Sequence, residues 1–251
     1  MLFLTRARWF SLLTSALVAA SCHRQGDGIA PQAAQDPDWL TLTVPSEFAT
    51  DDVAYALAGD LDQTLLVATK TTVFTTSDKG QTWQKSRNFN GPLSCLLQRH
   101  DTIFAFILNR GSNAPGEREA QNAQYFTRDF GKTWVATTTL PNYQRYQNWV
   151  QPTSRVQAAG VTYFLQGTSA PIPNSSSQQL LATNLYRVGT SGTTTVRLPA
   201  RHYLYNLHLD SQHRLYVAAS GLAFDPLTQQ GIDPTLPKQG VVYISRQPLP
   251  H

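Results

Sequence analysis

Two carboxylates recur in one setting. Thr76-Ser77-Asp78-Lys79-Gly80-Gln81-Thr82-Trp83 returns as Thr127-Arg128-Asp129-Phe130-Gly131-Lys132-Thr133-Trp134, both copies reading Thr-x-Asp-x-Gly-x-Thr-Trp with the aspartates 51 positions apart. A repeated aspartate has acid–base chemistry to offer, but turn chemistry already uses it. An Asp in a turn accepts hydrogen bonds from backbone N–H groups a residue or two ahead. Gly80 and Gly131 suit a position with φ > 0, Thr82 and Thr133 open the next strand, and Trp83 and Trp134 are placed to bury a ring against a neighbouring sheet. Thr76, Asp78, Gly80, Thr82, Trp83 and Thr127, Asp129, Gly131, Thr133, Trp134 are therefore expected to be structural. Other reactive residue types form no set. His202, His208 and His213 fall on different strand faces or in a turn, which is not metal-ligand spacing. Asp51, Asp52, Asp210 and Asp225 are not paired as the two carboxylates of a glycosidase would be. Cys95 sits in the apolar run 93–97, as a small buried hydrophobe does. There is no G-x-S-x-G elbow and no Gly-rich phosphate loop. No catalytic residue, metal or cofactor is expected, and the chain is not expected to be an enzyme.

The eight-residue motif resembles the Asp-box, or BNR repeat, of sialidases, sortilin-type receptors and a photosystem assembly factor family. That resemblance implies a β-propeller with the box in the hairpin between the third and fourth strands of a blade, on the face away from the ligand. The strand pattern agrees. From residue 39 onward short apolar or β-branched runs alternate with turn signals, and no stretch holds a helical period. Three units of four strands follow: 53–58, 65–69, 73–76 and 83–87; then 93–98, 103–108, 124–127 and 134–139; then 156–159, 161–166, 180–186 and 193–198. In the third the box has decayed to Thr190-Ser191-Gly192-Thr193-Thr194. A fourth unit offers only 204–209, 215–219 and 241–245, and the run from Trp39 to Pro45 supplies its missing outermost strand. Such pairing closes the ring and leaves no exposed edge. The expected fold is all-β: a small propeller of four blades, each of four antiparallel strands, closed by the N-terminal strand on the last blade.

Strand alternation places the long connections 109–123, 167–178 and 220–239 on one face, with the segments 141–149 and 199–203, and the box turns on the other. Loops on a rigid scaffold carry function, and aromatic and Arg side chains are the usual anchors. Tyr143, Arg145, Tyr146, Trp149, Arg201 and Tyr203 are the candidate ligand-binding residues, and packing at blade junctions is the competing role for Trp149 and Tyr203. The resemblance also raises sialidase-like hydrolysis, which needs three arginines on a substrate carboxylate, a Tyr activated by a Glu, and an acid/base Asp. Val196-Arg197-Leu198-Pro199 is similar to the Arg motif near the start of sialidases, but here it closes a third blade. Only Glu47, Glu117 and Glu119 are available as glutamates. Convergence of Arg110, Arg145 and Arg201 on one acid and one Tyr would favour this reading.

The N-terminus reads as a leader. Arg6 and Arg8 precede an apolar run over 9–20 that is too short to span a bilayer. Ala19-Ala20-Ser21-Cys22 resembles a bacterial lipobox, with Ala19 where Leu is usual. The expected organisation is a signal peptide over 1–21, a flexible tether over 22–37 attached to lipid (palmitate) through Cys22, and the propeller over 38–251. The formal charge of +4 loses Arg6 and Arg8 with the leader, leaving +2, too little to argue for nucleic acid. The expectation is thus a non-catalytic binding or scaffolding lipoprotein of the bacterial cell envelope. It would be anchored to the membrane, face the periplasm or exterior, and recognise a protein or glycan; a reduced sialidase-like glycoside hydrolase is the alternative.

Overall fold

Where the sequence alternates short β-branched and apolar runs with Asn, Asp and Gly turns, the chain forms strands. The computed structural model describes residues 36–45, 53–111, 117–172, 174–232 and 238–249; the expected leader, Cys22 and the tether up to residue 35 lie outside them, as do Glu47, Asp51 and Asp52. In chain order the strands are β1 (Trp39–Thr43), β2 (Ala56–Gly59), β3 (Leu65–Ala68), β4 (Thr72–Thr76), β5 (Gln84–Asn88), β6 (Cys95–Arg99), β7 (Thr102–Gly111), β8 (Arg118–Thr127) and β9 (Val135–Ala136). A single helical turn, α1 (Gln144–Gln147), precedes β10 (Val150–Pro152), β11 (Arg155–Ala158), β12 (Val161–Gln166), β13 (Ser169–Pro171) and β14 (Gln178–Leu180). Then come β15 (Asn184–Gly189), β16 (Gly192–Val196), β17 (Arg201–Leu209), β18 (Leu215–Phe224) and β19 (Val241–Ser245).

They pair into four antiparallel sheets arranged as a four-bladed propeller. The first blade is β2-β3-β4-β5, and the second is β6-β7-β8 with β9 and β10 sharing the far edge of β8. The third is β11-β12-β15-β16 and the fourth is β17-β18-β19-β1. The closure expected from the sequence is present: β1 lies on β19 with Trp39 opposite Ser245 and Leu42 opposite Val242.

The core lies between blades. One cluster joins Leu57, Val67 and Phe74 of the first blade to Tyr216, Val242 and Ile244 of the fourth. A second joins Tyr163, Leu165 and Leu185 of the third blade to Val217 and Tyr243 of the fourth. A third joins Leu66 and Val73 of the first to Leu96 and Ile103 of the second. A fourth is different. Phe104, Phe106 and Phe126 of the second blade are covered by Tyr146, Leu140 and Trp149 of the following connection, and no residue of the third blade joins them among the described residues.

Each Thr-x-Asp-x-Gly-x-Thr-Trp turn is built by two threonines around one carboxylate. The Thr76 hydroxyl donates to Asp78 Oδ1 at 2.8 Å and accepts from the Gly80 N–H at 2.9 Å. Thr82 donates its N–H to Asp78 Oδ1 at 2.9 Å and its hydroxyl to Oδ2 at 2.5 Å. Thr127, Asp129, Gly131 and Thr133 repeat this set at 2.7, 2.9, 2.9 and 2.7 Å. The Asp therefore reaches four residues ahead, further than the one or two expected. Those donors hold both carboxyls at a pKa of about 2. Lys79-Gly80 and Phe130-Gly131 take positive φ, at 63°, 83°, 54° and 86°. Each turn also seats against the preceding blade. A Cβ on Gly80 would come within 2.8 Å of Leu42 on β1, and one on Gly131 within 2.9 Å of Ser86 on β5. Trp134 Nε1 donates to Ser86 Oγ at 2.8 Å, and the Ser86 hydroxyl donates to the Gly131 carbonyl.

Three connections differ from expectation. The second blade's outermost strand, expected over 134–139, stops at Ala136 and turns into a 3-10 segment (Thr137–Thr139), because Thr137 Oγ1 turns inward to donate to the Ala123 carbonyl at 2.8 Å. The stretch 109–123 is largely a continuation of the β7–β8 hairpin past the end of its blade. The stretch 167–178 holds the small β13–β14 hairpin.

Candidate functional site: the axial mouth on the long-loop face

The innermost strands β2, β6, β11 and β17 surround the ring axis. Tyr55, Ser94, Thr153 and Tyr203, at or just before their starts, meet at one mouth. Asp60, His100, Gln157 and Asp210, at or just past their ends, line the other. Phe130 of the second repeated turn also lines that other mouth, which places the repeated turns opposite the long connections.

The first mouth is a cavity of about 400 Å³ to which every blade contributes: Tyr55 from the first, Ser94, Asn109, Arg118 and Glu119 from the second, Thr153 from the third, Tyr203 and Tyr205 from the fourth. The over-long β7–β8 hairpin makes this possible. Its return strand crosses to the third blade, where the Arg118 N–H donates to Ser154 Oγ at 3.0 Å. Thr153 donates its N–H and hydroxyl to the Arg118 carbonyl at 2.9 and 3.1 Å. The side chain then reaches the fourth blade, donating from Nη2 to the Leu204 carbonyl. Its guanidinium carbon lies 5.6 Å from the Tyr203 ring centre and 5.7 Å from that of Tyr205, within cation–π range. Alternation along β17 puts those two rings on one face, 5.0 Å apart, and Tyr55 packs 4.6 Å from Tyr205. Burial pushes the Tyr205 phenol above its ordinary value and the Arg118 pKa below its own, leaving a neutral Tyr205 hydroxyl beside a guanidinium that stays charged. Among the described residues no carboxylate pairs with Arg118.

In the opposite mouth, about 640 Å³, the Asp60 and Asp210 carboxylates are already ion-paired. Arg214 binds Asp60 at 2.8 Å, Asp62 at 2.9 Å and Asp210 at 2.6 Å, and Tyr216 donates its hydroxyl to Asp210 Oδ2 at 2.9 Å. Arg214 and the Tyr216 hydroxyl thus clasp the fourth blade to the first. His208 donates Nε2–H to the Gly59 carbonyl at 2.8 Å, and burial lowers its pKa. Asp225 accepts from the N–H groups of Leu227 and Thr228 within its own turn. Cys95 is buried, which raises its thiol pKa to about 12. Among the described residues no three His, Cys, Asp or Glu side chains gather as a metal site, and no helix is long and apolar enough to cross a membrane.

Of the six candidate ligand-binding residues, Tyr203 alone lines the axial cavity. Tyr146 is buried and stacks on Phe104 at 5.5 Å, while Trp149 meets Phe104 and Phe106 edge-on at 5.2 and 5.4 Å. Arg145 lies 4.6 Å over the Tyr146 ring and donates to its hydroxyl at 2.5 Å. Tyr143 is exposed beside them. Arg201 donates to the Pro226 carbonyl at 3.3 Å and lines a separate groove between the third and fourth blades. The side chain of Arg110 lies outside the described residues. Tyr55, Arg118, Glu119 and Tyr205 were not singled out from sequence. Tyr203-Leu204-Tyr205 at a period of two, and the Glu117-Arg118-Glu119 alternation in a polar stretch, are the signals that point to them.

No protein-family model and no curated protein matches the chain. Solved structures do resemble it. YCF48 from Cyanidioschyzon merolae aligns at 12% identity over 83% of this chain and 98% of its own, with a TM-score of 0.30. A GH43 endo-arabinanase from Bacillus licheniformis aligns at 9% identity over 81% and 96%, with a TM-score of 0.42. Trypanosoma rangeli sialidase, solved with sialic acid, aligns at 15% identity over 72% of this chain but 28% of its own, with a TM-score of 0.22. These are likenesses of fold. They nevertheless correct one expectation: with arabinanases and a sialidase among the structures that resemble it, the chain is not set down as a non-enzyme. The absence of a paired-carboxylate pattern in the sequence was too weak a ground for that, because carboxylates are brought together by folding and not by spacing along the chain.

Proposed function

We propose that this is an Asp-box recognition propeller of the bacterial cell envelope. It is held to the membrane by lipid on Cys22, faces the periplasm or exterior, and takes an envelope protein or glycan at the axial mouth of its long-loop face. The observation that carries this reading is the cavity built by all four blades around Arg118, Tyr55, Tyr203 and Tyr205. A concave site with a few convergent polar groups on a rigid scaffold is the usual form of a binding site. The anchor rests on the run Ala19-Ala20-Ser21-Cys22. Recovery of partners from envelope extract by the full chain tests the site: a Tyr55→Ala/Tyr203→Ala variant should lose them, and equal recovery overturns the reading. Mass spectrometry of the Cys22 peptide tests the anchor, with Cys22→Ser expected to leave the membrane fraction.

One observation favours a second reading, a reduced sialidase-like glycoside hydrolase: an arginine, a glutamate (Glu119) and three tyrosines line the same cavity. Turnover of a fluorogenic sialoside, lost in Glu119→Gln, would establish it.

A further inference from the structure

We infer that the axial cavity binds its ligand through a carboxylate group, with the Arg118 guanidinium as the partner. This rests on the recognition reading above and adds the chemistry of the ligand. Two other arginines are already neutralised by carboxylates. Arg214 is neutralised by three aspartates and Arg155 pairs with Glu117 at 2.9 Å; Arg87, like Arg118, has two ring faces and one carbonyl, but Arg118 is the one that lines the axial cavity. Arg118 is withdrawn from water and given one carbonyl and two ring faces, so most of its five N–H donors remain to be used. A desolvated charge without a counter-charge is costly, and an entering anion relieves that cost. The side chain is also held in advance. Its backbone is fixed by Thr153 and Ser154 and its tip by Leu204, so little freedom is lost on binding.

Two features select a carboxylate among anions. The planar guanidinium fork matches two coplanar oxygens. Glu119 lines the same cavity, so a dianion such as phosphate meets a like charge that a monoanion meets less strongly. The Tyr203 and Tyr205 rings supply flat surface for whatever carries the group.

The test is ligand-observed NMR titration of the full chain in nonionic detergent, with benzoate, its neutral isostere benzamide, and inorganic phosphate as probes. Benzoate is expected to bind about tenfold more tightly than benzamide, as a charge-assisted bidentate pair would give, and to weaken at high salt while benzamide does not. Arg118→Gln should abolish the preference. Arg118→Lys, which keeps the charge and loses the fork, should retain part of it and guards against a folding defect in the first variant. Equal binding of benzoate and benzamide, both lost in Tyr203→Ala, overturns the carboxylate assignment and leaves the recognition site standing. Phosphate binding tighter than benzoate also overturns it. No binding of any probe, or binding indifferent to Tyr203→Ala and Arg118→Gln, removes both the assignment and the site.

Discussion

A single hydroxyl distinguishes the two copies of the Thr-x-Asp-x-Gly-x-Thr-Trp turn. Ser86 accepts from the Trp134 indole and donates to the Gly131 carbonyl, whereas the buried Trp83 Nε1 has no partner among the described residues, its turn facing Leu42 instead. Ser86→Ala leaves two part-buried polar groups unpaired and should cost about 1 kcal/mol, read as a lowered urea midpoint with unchanged slope. Acid sensitivity is set at this scale too. The Asp78 and Asp129 carboxyls are depressed from 3.8 to about 2 in the folded chain. Their contribution is therefore complete above pH 4, and it is lost as pH falls through the interval down to about 2. Urea midpoints measured across that interval should decline in the wild type and decline less steeply in Asp78→Asn/Asp129→Asn.

Elements were the most legible scale. Short apolar and β-branched runs between turn signals located the strands, because inner strands such as β2 and β3 are buried on both faces and read as near-continuous apolar runs. The box announced its own turn because only glycine serves where φ is positive and a neighbour's side chain sits 2.9 Å from the missing Cβ, as at Gly131. Gly160 provides the control: its φ is +79° but a Cβ there meets nothing within 4 Å. Gly131→Ala should then destabilise by about 1–2 kcal/mol more than Gly160→Ala, backbone strain being common to both, as thermal unfolding of the two variants would measure. The axial site was less legible. Arg118 belongs to a strand that overruns its sheet, and its partners Ser154 and Leu204 are 36 and 86 residues away; nothing local encodes such a crossing. Arg145, Tyr146 and Trp149 show the opposite case, an aromatic–Arg composition that suits a binding anchor and is used in part to cover a blade.

At the scale of the whole ring, three of the four junctions carry apolar clusters shared by both blades, and a tryptophan at or just before the start of an outermost strand serves each: Trp83, Trp134 and Trp39. The decayed third box, Thr190-Ser191-Gly192-Thr193-Thr194, has no tryptophan, and the junction it would serve, between the second and third blades, is the one whose cluster is filled from the connection over 140–149. The larger of the two axial mouths opens over this junction, with Leu97 and Arg99 on one wall and Arg155 and Gln157 on the other. Trp149 thus stands in for a missing blade contact, and its removal should behave as a core substitution. Trp149→Ala is expected to cost about 2 kcal/mol, below the roughly 3–5 kcal/mol for the buried Trp39 because Trp149 is only half-buried. Partner recovery should be unchanged under conditions where the variant is folded. Loss of a partner without loss of stability would instead make Trp149 a ligand anchor and move the recognition surface from the axis to this junction.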